Sequence, residues 1–294
     1  MSSTEQIYTE GELMTIHNDY HHNAYTKVLA HNLTQTSTSA VLSARILQLR
    51  AQIALGNQAE VLADISGEED IPDLAAVQAL ALYTSDSEAQ GLSLAESLAQ
   101  TQSDNATVQI LAATVLAAAG KIEEALALVS KHQGTLEAVA LGTQLQLLVN
   151  RTDLAEREVK NAKKWAQDSL LVNIAESWVG LRVGGDRYQQ AFYEFEEMPV
   201  AQSVAEMHLG RLPEAETSLR NAMEDTENEA MQSHAIANLV VVETLAGRGA
   251  QAKELLASLQ TRMPGHPLLV DLEEKDALFD EFAAKYAPKV KITA

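Results

Sequence analysis

Apolar residues recur three and four positions apart through most of the chain, as side chains on one face of a helix do. Ile122, Leu126 and Val129 form one such stripe, with Ala125 between them. Segments that alternate between apolar and polar residues are few, whereas alanine and leucine, which both favour helices, are abundant. The sequence therefore predicts an all-α fold.

A glycine followed five residues later by alanine forms a second pattern. Glycine and asparagine can end a helix because both tolerate the left-handed backbone conformation, and a small residue lets the next helix approach closely. The pattern predicts helical hairpins. Its clear copies are Gly120–Ala125, Gly210–Ala215 and Gly247–Ala252. In the weaker copies asparagine replaces glycine or valine replaces alanine; these are Gly56–Val61, Asn150–Ala155 and Asn23–Val28.

The spacing of these turns indicates a repeat. Positions 23, 56, 120, 150, 185, 210 and 247 are separated by 33, 64, 30, 35, 25 and 37 residues. Most steps fit once or twice the period of about 34 residues of a tetratricopeptide repeat. Thr84–Glu88 supplies the turn within the 64-residue step, and the 25-residue step leaves Pro199–Leu209 room for only a short helix. We predict a tetratricopeptide-like solenoid of about eight hairpins.

The cluster Pro264-Gly265-His266-Pro267 disfavours a continuous helix and predicts the end of the repeats. An amphipathic helix over about 267–286 is expected to follow it. Since a solenoid needs its last apolar face covered, this helix is interpreted as a C-terminal capping helix. No linker divides the sequence, so residues 1–294 are predicted to form one domain, with hairpins over about 10–262.

The charge excludes several classes of function. Asp and Glu number 41 against 21 Lys and Arg, for a net charge of −20, which disfavours binding to nucleic acid. Without cysteine, disulfides, thiolate metal sites and cysteine nucleophiles are impossible. Neither a secretory signal nor an apolar run of membrane-spanning length is recognised, so a cytosolic protein that reaches membranes through a partner is expected.

No motif predicts catalysis. His17 and His21 could share a helical face and bind zinc, but no third ligand or HExxH motif accompanies them, so a polar helix surface is the favoured interpretation. Phosphate-binding loops, dinucleotide fingerprints and nucleophile elbows are absent from the sequence. We therefore predict a protein that is not an enzyme, with no catalytic, cofactor-binding or metal-binding residues.

The short segment 151–164 is rich in basic residues, although the chain as a whole is acidic. These cations could bind an acidic partner or phosphate, but the favoured interpretation is a solvated helix face. Trp165 and Trp178, the only tryptophans, are expected to be buried rather than to anchor an interface. The basic residues are Arg151, Arg157, Lys160, Lys163 and Lys164.

The sequence resembles the epsilon-subunit family of coatomer, the COPI vesicle coat. The similarity is good over about residues 135–288 and weaker before them, where Asn18–Leu29 resembles the family. No single motif is diagnostic, but their order and spacing are. The motifs are Asp153-Leu154-Ala155, Trp178-Val179, Gly184-Gly185, Ala191-Phe192-Tyr193, Glu197-Met198, Gly210-Arg211, Glu214-Ala215-Glu216, Asn238-Leu239, Gly265-His266-Pro267, Lys275-Asp276, Phe279-Asp280 and Tyr286-Ala287-Pro288.

This resemblance implies a non-catalytic subunit of the heptameric coat, folded as a helical-repeat array. It implies binding to the C-terminal region of the alpha subunit and a role in retrograde Golgi-to-ER and intra-Golgi transport. The subunit would be cytoplasmic and peripheral on Golgi membranes and COPI vesicles. The short segment between Met198 and Gly210 departs from the family pattern, because relatives usually have more residues there.

Repeat geometry also predicts which residues bind the partner. The first helices of successive hairpins are expected to line a concave surface that encloses another chain. An alternative hypothesis is a tetratricopeptide-type adaptor that binds a different protein or a peptide tail. The residues of this surface, which we call the predicted binding face, are Ile110, Thr114, Ala117, Ala140, Gln144, Leu147, His234, Ala237 and Val241.

Overall fold

A computed structural model describes residues 13–33, 36–37, 40–225 and 228–286. Within these ranges the chain contains helices and no strand, as the periodicity predicts. A first helix, α1, includes residues 13–21. The others are α2 (Tyr25–Ala30), α3 (Val41–Ala54), α4 (Gln58–Asp64), α5 (Pro72–Tyr83), α6 (Glu88–Thr101), α7 (Ala106–Ala118), α8 (Ile122–Val129), α9 (Leu136–Leu148), α10 (Thr152–Ala162), α11 (Leu170–Val183), α12 (Arg187–Glu194), α13 (Pro199–His208), α14 (Leu212–Asp225), α15 (Glu229–Leu245), α16 (Gly249–Arg262) and α17 (Pro267–Lys285).

Helices α1 to α16 pair in sequence order, giving eight hairpins in the described part of the chain. The predicted turn residues adopt the left-handed conformation, with φ near +60° at Asn23 and Asn150 and between +68° and +89° at Gly56, Gly120, Gly184, Gly185, Gly210 and Gly247. At Gly120 the amide donates to Ala117 O at 3.0 Å, and the amide of Lys121 donates to Leu116 O at 2.8 Å. These bonds satisfy carbonyl groups left free at the end of α7.

The small residue five or six positions after each turn is buried, as the sequence predicts. Val28, Val61, Ala125, Ala155, Ala191 and Ala215 are fully buried, and Ala252 is 7% exposed. Each lies on the second helix of its hairpin. Short side chains at these positions allow the two helices of a hairpin to pack closely.

First and second helices differ in how they are buried. In α7, eight residues are buried, including Val108, Leu111 and Val115, because this helix has neighbours on several sides. Helix α10 buries only Ala155, Val159 and Ala162 and presents charged residues to solvent. The amphipathic stripes seen in the sequence therefore belong chiefly to second helices.

Contacts between residues divide the chain into two compact units, Met1–Glu197 and Met198–Ala294. The core of the first unit extends from α3 to α9, with smaller clusters around α1–α3 and α9–α11. In the second unit the core joins α14 and α15, and Ile236, Leu259 and Leu269 form a cluster beside it. The boundary falls within the irregular 25-residue step of the sequence, where α13 has only 10 residues.

Helix α17 occupies the position of the capping helix that the sequence predicts. Its first turn packs on α15 and α16 through Leu269, which is 7% exposed, and through Leu268. Residues 270–286 are all exposed in this chain. A capping role for this helix stays a prediction, because most of it covers nothing within the described chain. Ala287 and Pro288 of the family motif lie outside the described residues.

Candidate partner-binding surface

The predicted binding face is distributed over the two units. Six of its residues lie on α7 and α9 of the first unit, and His234, Ala237 and Val241 lie on α15 of the second. Ile110, Ala140 and Ala237 are buried, so a partner could not contact their side chains without local repacking. Thr114, Ala117 and Leu147 are partly buried. Among the nine residues, Gln144, His234 and Val241 are exposed.

A polar network lies at the first turn of α9, on the same side of the helix as Gln144. Glu137 lies seven residues before Gln144 and is 8% exposed. Its Oε1 lies 3.0 Å from His21 Nε2 and 3.9 Å from His17 Nδ1. Arg50 Nη1 donates to both oxygens of Glu137, at 3.1 and 3.0 Å. The network therefore joins α1 and α3 to α9.

The charges in this network are mutually compensating. Burial alone would raise the pKa of Glu137, but the Arg50 guanidinium and His21 outweigh burial and hold that pKa well below 4.5. The guanidinium also lies over the ring of Tyr20, 4.5 Å from its centroid. Burial lowers the pKa of His17 despite the nearby carboxylate. His17 and His21 lie on a polar edge of α1, as expected, but this edge is partly covered, because both rings face Glu137.

His17, His21 and Glu137 could hold a metal ion by distance alone, since one ligand atom from each lies within 4.8 Å of the others. The Arg50 guanidinium disfavours it, because a divalent cation would share a single carboxylate with a buried positive charge. The arrangement fits an ion pair that stabilises the fold better than it fits a metal centre.

In the second unit, His234 of the predicted binding face contacts the start of α17. The amide of Leu268 donates to Nδ1 of His266 at 3.1 Å, so the other ring nitrogen, Nε2, carries the proton and donates to Nδ1 of His234 at 3.1 Å. Burial lowers the pKa of both histidines. A neutral imidazole pair therefore holds the first turn of α17 against α15.

This pair predicts a loss of stability in acid. Because both folded-state pKa values lie below 6.5, the unfolded chain binds protons first as the pH falls through 6.5, and the folded state loses stability below that pH. The hydrogen-exchange protection factors of the Leu268 and Leu269 amides, which correct for the intrinsic pH dependence of exchange, should fall there. His234→Gln should flatten that pH dependence, whereas His208→Gln should leave it unchanged; equal profiles for wild type and His234→Gln would contradict the assignment.

The sequence did not identify the exposed apolar side of α17. Leu272, Phe279, Phe282 and Tyr286 are 43%, 70%, 49% and 69% exposed and recur seven, three and four residues apart. The rings of Phe282 and Tyr286 stack with centroids 6.1 Å apart. That spacing was visible in the sequence, but only the structure shows that no described residue covers this side.

The hairpins and their packing define a tetratricopeptide-like helical-repeat protein. Two solved structures share this fold. The Cut9–Hcn1 hetero-tetramer of APC/C aligns with a TM-score of 0.57 and 11% identity over 80% of this chain and 49% of that chain. A tetratricopeptide repeat protein from Parabacteroides merdae aligns with a TM-score of 0.57 and 12% identity over 76% of this chain and 91% of that one.

Sequence relatives identify the family. The family model of the coatomer epsilon subunit matches residues 9–287, and the chain belongs to that family. The probable coatomer subunit epsilon of Schizosaccharomyces pombe is 29% identical, over 94% of this chain and 95% of the relative. Coatomer subunit epsilon-1 of Arabidopsis thaliana is 29% identical, over 94% of this chain and 97% of the relative. The resemblance read from the motifs is confirmed, and the protein is a structural subunit of the COPI coat.

Proposed function

We propose that this protein is a non-catalytic coatomer subunit that binds and stabilises the C-terminal region of the alpha subunit. Its roles would lie in retrograde Golgi-to-ER and intra-Golgi transport. The family match over residues 9–287 carries the proposal, because it spans nearly the whole repeat array. Helical hairpins suit this role, since stacked repeats offer long surfaces to other proteins.

On α9, the surface available to a partner is narrower than repeat geometry alone suggests. Gln144 is exposed, while Ala140, four residues before it, is buried. Glu137 on the same side already contacts His17 and His21 of α1. We therefore place partner contact on α9 at Gln144, beyond the area that α1 covers.

Gln144→Arg should weaken binding to a purified C-terminal region of the alpha subunit by about tenfold, because a long cation replaces a neutral side chain at a contact site. Isothermal titration calorimetry with the full chain measures this. The matched control is Gln90→Arg, since Gln90 is also exposed in the first unit but lies on α6, a second helix. Equal affinity of both variants and the wild type would exclude this surface, and failure of the wild type to bind would exclude the function.

We place the subunit in the cytoplasm, peripheral on Golgi membranes and COPI vesicles through its coat partners. The net charge of −20 supports this, because anionic lipid surfaces repel an acidic protein. Within the described residues, no helix is both long and apolar enough to cross a membrane. In liposome flotation the isolated chain should stay at the bottom of the gradient and float only when assembled with the other coat subunits; flotation of the isolated chain would contradict this proposal.

A further inference from the structure

The second half of α10 and the turn that follows it carry exposed cations and an exposed aromatic ring. Arg157 and Lys160 lie three residues apart on α10, which places them on one face of the helix. Lys164 follows in the turn directly after the helix, and all three side chains are exposed. Trp165 comes next in the chain and is 55% exposed, so the expectation that it is buried is wrong. We call Arg157, Lys160, Lys164 and Trp165 the basic patch.

The carboxylates of α10 are paired with side chains outside the basic patch. Asp153 pairs with Arg151 at 2.7 Å, Glu156 with Arg187 at 2.7 Å, and Glu158 with His132 at 3.4 Å. Within the described part of the chain, Arg157 and Lys160 have no ion-pair partner, although Lys160 lies near enough to Glu156, and Arg157 to Glu158, to lower the carboxyl pKa. Lys164 donates to Asn161 at 2.9 Å. Positive charge therefore remains available on this surface.

Helix energetics account for only part of this arrangement. Cations near a helix C-terminus are favoured by the helix dipole, which explains Lys160 and Lys164. The dipole does not explain why the neighbouring indole is left in solvent. The other tryptophan, Trp178, is partly buried and packs on the cluster of Val139, Ala155 and Val159. Exposed tryptophan beside cations is typical of an interface, where tryptophan and arginine are enriched among the residues that dominate affinity.

We propose that the basic patch binds an acidic segment of another protein, with carboxylates against Arg157, Lys160 and Lys164 and an apolar side chain against Trp165. Charge complementarity favours this partner over a bilayer. An acidic segment touches only the patch, whereas a bilayer extends beyond it over a chain with a net charge of −20. Exposed charges act over a Debye length of about 10 Å. This inference does not depend on binding to the alpha subunit.

A fluorescein-labelled peptide of glutamates around a central phenylalanine tests the proposal by anisotropy titration with the full chain. We expect saturable binding that weakens as salt is added, because exposed charges are screened. Trp165→Ala and Lys160→Glu should each weaken binding about tenfold. Lys253→Glu is the matched control, since it makes the same charge change at an exposed site on α16 of the other unit. It should leave the affinity within about twofold.

Four results would overturn the proposal. The first is that the wild type does not bind the peptide, and the second is that Lys160→Glu and Lys253→Glu lose peptide affinity equally. The third is that the protein binds phosphatidylserine vesicles and Trp165→Ala abolishes this binding. The fourth is that the mass of the protein in solution increases with concentration and Trp165→Ala abolishes the increase. Equal loss in the two charge variants would mean that the peptide responds only to the overall charge of the chain. Vesicle binding would indicate a membrane site, and the increase in mass would indicate a contact between two copies of the chain. Circular dichroism of each variant separates lost binding from lost folding, and Arg157→Gln provides a milder second variant.

Discussion

Arg50→Ala is expected to lower the free energy of unfolding by about 3–5 kcal/mol, because it leaves the buried Glu137 carboxylate without its main counter-charge. Glu137 is 8% exposed, and the Arg50 side chain is 11% exposed. Removal of one member of a buried pair exposes the other to the full cost of desolvation. Urea denaturation monitored by circular dichroism measures the loss.

The matched control is Arg45→Ala. Arg45 also lies on α3 and pairs with Glu68 at 2.7 Å, but its partner is 41% exposed and water can solvate it after the substitution. The cost should be at most about 1 kcal/mol. The double variant Arg50→Met with Glu137→Leu should recover most of the loss, because both charges are removed together. A loss as large as that of Arg50→Ala in the double variant would show that the pairing itself is not responsible.

The effect of Arg50→Ala should depend on pH. In the wild type the pKa of Glu137 lies below its ordinary value, so the stability that the pair contributes is fully present above pH 4.5. It is lost progressively as the pH falls below 4.5 and through the lower folded-state pKa. In the variant, burial favours the neutral carboxyl group, and protonation removes the uncompensated charge. The difference in stability between variant and wild type should therefore shrink in acid.

Gly91→Ala is expected to cost about 3 kcal/mol, because the added methyl group meets backbone rather than a flexible side chain. A Cβ at this position would lie 2.4 Å from the amide nitrogen of Tyr83 and 2.7 Å from the carbonyl oxygen of Ala79. Helices α5 and α6 would have to separate to admit it. This cost outweighs the gain of about 1 kcal/mol that alanine brings to a helix. Thermal denaturation followed by circular dichroism measures the change.

Gly249→Ala is the matched control. Gly249 is also helical, its φ is not positive, and no atom lies within 4 Å of the position of its Cβ. The substitution should be neutral or should stabilise the protein by up to about 1 kcal/mol. If the two variants had equal stability, close contact between α5 and α6 would not be the reason for glycine at position 91.

Gly91 also illustrates what the sequence pattern could and could not reveal. The turn after α5 lacks glycine, and there the hydroxyls of Thr84 and Ser85 donate to Leu80 O at 2.9 Å and to Leu82 O at 2.8 Å. Gly91 lies five residues after Asp86 and replaces the alanine of other hairpins, so its spacing was visible in the sequence. Its contact with the backbone of α5 was not, because that distance depends on how closely the two helices pack.

The candidate site was less predictable than the hairpins. Helical spacing assigned nine residues to one face, yet Ile110, Ala140 and Ala237 are buried by neighbouring helices. The same spacing predicted a polar helix surface for His17 and His21 with no third ligand nearby, but Glu137, 116 residues beyond His21, lies against them. Exposure of Trp165 and of the apolar side of α17 likewise depends on which helices lie nearby.

The sequence by itself determined the helices, the turns and the family. Each of these depends on local conformation or on the order of motifs, and the left-handed backbone at Gly120 or Asn150 follows from a permissive residue type at a regularly spaced turn. Tertiary structure decided the Arg50–Glu137 network, the basic patch with its exposed tryptophan, and the uncovered side of α17. The physical reason is that burial and pairing depend on neighbours distant in the chain, which periodicity along one helix does not specify.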